Sequence, residues 1–172
     1  MPDEKYGITE SGDPNTKTGR YIVYCTKPNP FHPVADPNAH AMYLDSRSVE
    51  GGFYLSGATV HEPNPAGEEG WKPHCHDYIE YVFLWGTNPE DPSDLGGEAE
   101  VYIEDEKHII TKTCVMTFPA GVYHCPMKIT RVDTPIVFMS VSPAPILYEH
   151  TNRDPKWAHL PDPPGSIDEV LD

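Results

Sequence analysis

Short apolar runs separated by proline and glycine turns predict a chain of β-strands. The predicted strands are 20–26, 52–60, a stretch within 72–86, 99–103, 107–113, 114–118, 122–125 and 135–142. Residues 104–106 predict a hairpin tip, and 87–97 a long loop. Of the 34 Leu, Ile, Val and Phe residues, 20 lie between Ile79 and Leu147, so the core is predicted in that part of the chain.

The composition favours the same fold class. Val, Ile, Thr, Tyr, Phe and Trp total 52 residues, Ala, Leu and Met total 21, and Gln is absent. Such a chain suits pleated sheets better than helices. Its 172 residues correspond to one domain. With 20 prolines and 13 glycines shortening every element, the composition predicts a sandwich or barrel.

The charge excludes several classes of partner. Asp and Glu number 27 against 12 Lys and Arg, a net charge of −15, which disfavours nucleic acid and anionic membranes. No apolar run approaches the ~20 residues of a membrane span. The first residues lack an apolar leader, and four cysteines are too few for a disulfide scaffold. These features predict a cytoplasmic protein.

Three histidines and one glutamate stand out by their spacing. His74 and His76 are two residues apart, so a strand would direct both imidazoles to one side. Glu80, at a further even offset, would join them in an unbroken strand. His124 follows a short proline- and glycine-containing turn. Imidazole and carboxylate suit Zn, Fe, Ni, Cu or Mn, and four such ligands leave positions open for water or substrate.

Taken alone, the His-x-His-x3-Glu spacing also fits surface or core histidines, but the Pro-x-Gly-x2-His segment favours a metal site. Together the two segments resemble the motifs of the cupin superfamily. The first family motif, Gly-x5-His-x-His-x3–4-Glu-x6-Gly, corresponds to residues 70–86, and the second, Gly-x5-Pro-x-Gly-x2-His-x3-Asn, to 113–128. All four ligand positions match. The departures lie in the flanks: both glycines of the first motif are closer than the family spacing, and Thr113 and Lys128 replace Gly and Asn.

The resemblance implies an all-β fold, a single cupin-type double-stranded β-helix (jelly-roll) barrel with extended N- and C-terminal arms. We assign residues 1–19 to the N-terminal arm, 20–147 to the barrel domain with a motif core at 70–142, and 148–172 to the C-terminal tail. It also implies one divalent transition metal per chain, with Fe expected first and Zn, Mn, Ni or Cu as alternatives. The implied ligands are His74, His76, Glu80 and His124.

Two further features bear on function. Tyr78 shares the even-numbered face of the ligands and is either a hydrogen-bond donor or general base for a substrate, or a packed core tyrosine. Val82 and Leu84 continue that inward face, while the alternate positions, Tyr81 to Trp85, point outward. Outward aromatics require a cover, either from the N-terminal strands or from a second subunit, which predicts a homodimer.

The leading hypothesis is a metal-dependent enzyme acting on a small organic molecule. Within the resemblance, dioxygenase-type oxidative cleavage of an enolisable or phenolic acid comes first, with Glu80 and Tyr78 as catalytic residues. Arg20, Arg47 and Arg131 are candidates to hold a substrate carboxylate. The alternatives are a metal-dependent lyase, isomerase or decarboxylase, and a cupin that binds a small molecule around its metal without turnover.

Overall fold

The computed structural model describes residues 9–11, 15–25, 42–44, 51–64, 70 and 72–143. The predicted arms, 1–19 and 148–172, lie largely or wholly outside the described residues, as does Arg47. The domain boundaries therefore stay a prediction. Among the described residues, no helix is long and apolar enough to cross a membrane. The cytoplasmic location also stays a prediction.

The described residues form β-strands and one 3₁₀ turn at Gly19–Tyr21. The strands are β1 (Thr9–Ser11), β2 (Val23–Cys25), β3 (Met42–Leu44), β4 (Tyr54–Val60), β5 (Glu80–Gly86), β6 (Asp94–Ile103), β7 (Glu106–Lys112), β8 (Cys114–Phe118), β9 (His124–Val132) and β10 (Ile136–Ser142).

Two antiparallel sheets make up most of the described fold. A five-stranded sheet has the order β3-β4-β10-β5-β8, and a three-stranded sheet has the order β7-β6-β9; β1 and β2 pair separately. Inward side chains from both sheets form one core, for example Leu84 and Phe138 from the larger sheet with Leu95 and Ile129 from the smaller. This arrangement confirms the predicted all-β, cupin-type jelly-roll fold.

Strand β5 shows how the sequence pattern produces the core. Val82 and Leu84 are buried, whereas Tyr81 and Phe83 are half-buried and Trp85 is exposed, as the two-residue period of a strand requires. Burying one leucine side chain completely contributes roughly 1.5–3 kcal/mol to stability. The predicted inward face is confirmed.

Strand β6 begins five residues earlier than predicted. Residues 94–97 belong to the predicted loop 87–97 and include Gly96 and Gly97; glycine usually weakens the interior of a strand. Instead, Gly97 pairs with Val132 of β9. A Cβ atom on Gly97 would lie 2.3 Å from the backbone oxygen of Arg131, so the glycine permits a close approach of two strands.

Strand β9 continues well past the predicted end at residue 125. Proline usually ends a central strand because it cannot donate to the ladder. Here the register with β6 shifts between Val101 and Ile103, which are opposite Met127 and His124. Pro126 lies within this irregularity, where a regular ladder hydrogen bond is not required, and the strand resumes after it.

The barrel interior is apolar at one end and polar at the other. On the central strand β10, the inward positions change from Ile136 and Phe138 to Ser140 and Ser142, all of them buried. Tyr54 and Ser56 of β4 are buried opposite these serines. The polar end of the five-stranded sheet therefore carries hydroxyl groups beside the start of β5, where Glu80 lies.

The outer face of the five-stranded sheet is apolar. One row of opposed residues crosses all five strands: Met42, Gly57, Met139, Phe83 and Val115. The described outward positions of this sheet include no charged residue. By contrast, the outer face of the three-stranded sheet carries Glu100 within 2.7 Å of Lys107 and 3.3 Å of Lys128.

The homodimer predicted from the outward aromatics stays a prediction, and this contrast provides a matched test. Val115, on the apolar face, is 53% exposed, and Ile109, on the charged sheet, is 51% exposed. If a second copy covers the apolar face, Val115→Glu should yield monomers because it buries an unpaired charge, whereas Ile109→Glu should remain dimeric. Light scattering after size-exclusion chromatography distinguishes them. A wild-type protein that is monomeric at every concentration contradicts the prediction.

Candidate metal centre

A short bridge joins the two sequence motifs that supply the candidate ligands. The backbone nitrogen of His74 donates to the carbonyl of His124 over 3.0 Å, and the reciprocal bond measures 2.9 Å. The backbone nitrogen of Gly121 donates to the carbonyl of His76 over 2.9 Å, which anchors the turn before β9. Residues fifty positions apart in sequence are thereby fixed side by side.

Four side chains converge behind this bridge. Each contributes one atom that can bind a metal, and these atoms all lie within 4.8 Å of one another. The four residues are buried, and they are His74, His76, Glu80 and His124. Three nitrogen donors and one carboxylate oxygen are ligands that Zn and other divalent transition metals accept. The cluster can therefore hold a metal ion.

Backbone carbonyls orient two of the imidazoles. His74 Nδ1 lies 3.2 Å from the Lys72 oxygen, and His124 Nδ1 lies 3.1 Å from the Val122 oxygen. A carbonyl oxygen only accepts, so both Nδ1 atoms must carry the proton and donate. In the neutral rings, this leaves each Nε2 with a lone pair available to a cation.

The surroundings of His124 Nε2 indicate whether a metal ion fits this cluster of side chains. This buried nitrogen makes no hydrogen bond to any described residue, although Glu80 Oε2 lies 2.9 Å away. With the proton on Nδ1, both Nε2 and an ionised carboxylate are acceptors, and two acceptors at this distance repel. A cation bound by both atoms converts this repulsion into attraction, so the residues fit a metal ion.

Glu80 is an ionised carboxylate at neutral pH. Burial acts to raise its pKa, but hydrogen bonds and positive charge at His124 and His76 outweigh burial and hold the pKa of Glu80 well below its ordinary value. A cation bound between these side chains acts in the same direction. His76 Nε2 is 3.2 Å from Glu80 Oε2. The cluster therefore presents one negative charge to a bound cation.

Aromatic rings pack against two of the imidazoles. Phe118 stacks on His124 with centroids 4.2 Å apart, and Tyr78 stacks on His76 with centroids 4.7 Å apart. Phe118 reaches this position because it pairs directly with Glu80 across β5 and β8. These contacts restrict the rotation of both rings and hold the site in place before a metal binds.

The path of the chain between the ligands differs from the expected one. An unbroken strand from His74 to Glu80 was expected to align the ligands, but the backbone bends at Asp77 and Tyr78 and β5 begins only at Glu80. The bend allows Tyr78 to stack on His76. The fixed spacing therefore places the ligands through a turn rather than through strand alternation.

Other sequence candidates have different places. The side chain of Arg131, near the end of β9, lies 3.0 Å from Asp133 and donates to the carbonyl of Gly97, so it does not approach the cluster. The side chains of Arg20 and Arg47 lie outside the described residues. Burial and the charge of Glu80 raise the pKa of the Cys125 thiol, which opposes thiolate ligation.

The serines of β10 were not among the residues predicted to lie at the site. Ser140 Oγ donates a hydrogen bond to Glu80 Oε1, and Ser142 Oγ donates to the Ile79 carbonyl over 3.0 Å. The signal was present in the sequence, because serines at the inward positions of an otherwise apolar strand need a polar partner. That partner lies sixty residues away in sequence, so only the fold identifies it.

The chain was compared with protein-family models, curated proteins and solved structures. No family model and no curated protein matches it. Among solved structures, an RmlC-like cupin from Shewanella frigidimarina is 16% identical, with a TM-score of 0.35 over 54% of this chain and 67% of the other. KdgF from Halomonas sp. is 15% identical, with a TM-score of 0.39 over 63% and 81%.

A sugar phosphate isomerase of the cupin superfamily from Silicibacter pomeroyi is 17% identical, with a TM-score of 0.39 over 59% of this chain and 57% of the other. These are distant likenesses and say nothing about activity. The two motifs, the two-sheet fold and the convergence of all four motif side chains agree with one another. The predicted cupin-type fold is thereby confirmed.

Proposed function

We propose that the protein is a mononuclear metal-dependent enzyme acting on a small organic molecule, with dioxygenase-type cleavage as its leading reaction. The observation that carries the proposal is the buried donor set, in which His124 Nε2 and Glu80 Oε2 oppose each other as acceptors. A structural zinc site would be closed by four protein ligands, commonly with cysteine. Metals that prefer five or six ligands keep positions open with this donor set.

A divalent transition metal at this position supplies Lewis-acid activation of substrate oxygen atoms and, with iron, activation of dioxygen. His74, His76, Glu80 and His124 would hold it. The residues of the chain orient the ligands and the substrate and handle the proton. The hydrogen bonds from Nδ1 of His74 and His124 to the Lys72 and Val122 carbonyls fix the orientation of both rings, and each Nε2 lone pair then faces the metal position.

Tyr78 is the proposed acid–base group. Its ring stacks on His76 at an interplanar angle of 16°. A phenolic hydroxyl on a half-buried ring beside the ligands can donate a hydrogen bond to a substrate oxygen or move its proton. Glu80 has its own role, because its single negative charge lowers the net charge of the bound cation.

Metal analysis followed by oxygen uptake tests the proposal. Protein purified without added metal should contain a transition metal, and the Fe²⁺-loaded protein should consume dioxygen with an enolisable or phenolic acid. His124→Ala, loaded in the same way, is the control for uptake by free iron. Metal-dependent turnover without oxygen uptake would assign a lyase, isomerase or decarboxylase instead. Metal-dependent ligand binding without turnover would assign a binding protein.

A further inference from the structure

The two oxygens of the Glu80 carboxylate have different surroundings. Oε2 lies 2.9 Å from His124 Nε2 and 3.2 Å from His76 Nε2. Oε1 accepts the hydroxyl proton of Ser140. Oε2 therefore lies among the imidazole nitrogens, and Oε1 is held by a residue outside both cupin motifs.

The direction of the Ser140 bond follows from charge. A carboxylate that binds a metal ion is deprotonated, so its oxygens can only accept, as Glu80 Oε1 does here. The serine hydroxyl must donate, and a bond from a hydroxyl to a carboxylate is charge-assisted and stronger than a neutral one. This bond therefore resists rotation of the carboxylate about its terminal torsion.

The backbone of Ser140 is held firmly. Ser140 lies within β10, the middle strand of the five-stranded sheet, where it pairs with Ser56 of β4 on one side and Val82 of β5 on the other. Its side chain is buried. A donor mounted on a strand that is paired on both sides is more precisely placed than one on a loop.

We infer that Ser140 is a positioning residue that makes Glu80 a one-oxygen ligand, by holding Oε1 and leaving Oε2 to face the metal. The inference rests on the metal site of the proposed function but on no particular reaction. Its consequence is that the second carboxylate oxygen does not take a coordination position that a substrate needs. Without the hydroxyl, the carboxylate is free to rotate and to offer both oxygens.

Cobalt titration of the metal-free protein tests the inference without any activity measurement. The variants are Ser140→Ala, Ser140→Thr, which keeps the hydroxyl, and Ser142→Ala. Ser142 is a matched control because it is buried on the same face of β10 but donates to a backbone carbonyl. The readouts are the Co²⁺ dissociation constant and the visible absorption spectrum, which reports the coordination of the ion.

Ser140→Ala is expected to weaken Co²⁺ binding roughly 10- to 100-fold, as for other lost partners of metal ligands, and to change the spectrum. Ser140→Thr should restore both, and Ser142→Ala should leave both near wild type. If Ser140→Ala does not fold, Ser140→Cys, whose thiol is a weaker donor, should show the same change of spectrum to a smaller extent.

Three results would overturn the inference, and each would point to a different cause. Wild-type affinity and spectrum in Ser140→Ala, or in Ser140→Cys if it replaces that variant, show that the hydroxyl does not position Glu80, while the metal site stands. Equal changes in Ser140→Ala and Ser142→Ala show a general effect of losing a buried hydroxyl. A wild-type protein that binds no Co²⁺ removes the proposed function as well.

Discussion

Replacing His76 with alanine is expected to abolish stoichiometric metal binding. The imidazole supplies one of four donors, its Nε2 lies 3.2 Å from Glu80 Oε2, and its ring packs on Tyr78. Its loss removes a ligand bond and the alignment of the carboxylate. We therefore expect a fall in affinity well beyond the 10- to 100-fold that is typical when a metal ligand loses its hydrogen-bond partner. Metal analysis of the purified variant measures the loss.

Thermal unfolding gives a second measurement of the same effect. A metal that binds only the folded state stabilises it by about 2.7 kcal/mol at a concentration 100 times its dissociation constant. Added metal should therefore raise the melting temperature of the wild type but not that of His76→Ala. His108→Ala, on β7 and 3.8 Å from Glu106, is the control and should respond like the wild type. Undiminished metal in His76→Ala would contradict the four-ligand assignment.

The candidate ligands could be selected from sequence because their spacing is a local property. His74 and His76 are fixed relative to each other by one intervening residue. Yet the assumption that a regular strand aligns them with Glu80 was wrong, because the chain bends at Asp77 and Tyr78. The four side chains that the resemblance implied nevertheless lie together, because a turn brings them to the same place.

What the sequence did not reveal depends on pairing between distant strands. Gly97 lies in the predicted loop 87–97, and its close approach to Arg131 of β9 exists only once the sheet forms. The bond from Ser140 to Glu80 likewise joins β10 to the start of β5. Such contacts follow from register, and register is set by the whole sheet rather than by any one strand.

Replacing Glu80 with glutamine is expected to separate catalysis from metal binding. Glutamine keeps the shape of the side chain and an oxygen that can face the cluster, but it removes the negative charge. The three imidazoles remain, so we expect part of the metal to stay bound. Turnover per bound metal should fall by about 100-fold or more, because the charge that tunes the ion in a buried site is lost.

Glu100→Gln is the matched control for this change. Glu100 lies on the outer face of the three-stranded sheet, where its partners are Lys107 and Lys128. Ion pairs at the protein surface contribute little, and these lie on the opposite side of the sheet from the core, so turnover and metal content should stay near wild type. Turnover per metal that is unchanged in Glu80→Gln would assign Glu80 a structural role. The chemistry would then depend on other groups, and Tyr78, the aromatic neighbour of His76, would be the next residue to examine. Replacing Tyr78 with phenylalanine would test its role, because phenylalanine keeps the ring that stacks on the imidazole and removes only the hydroxyl.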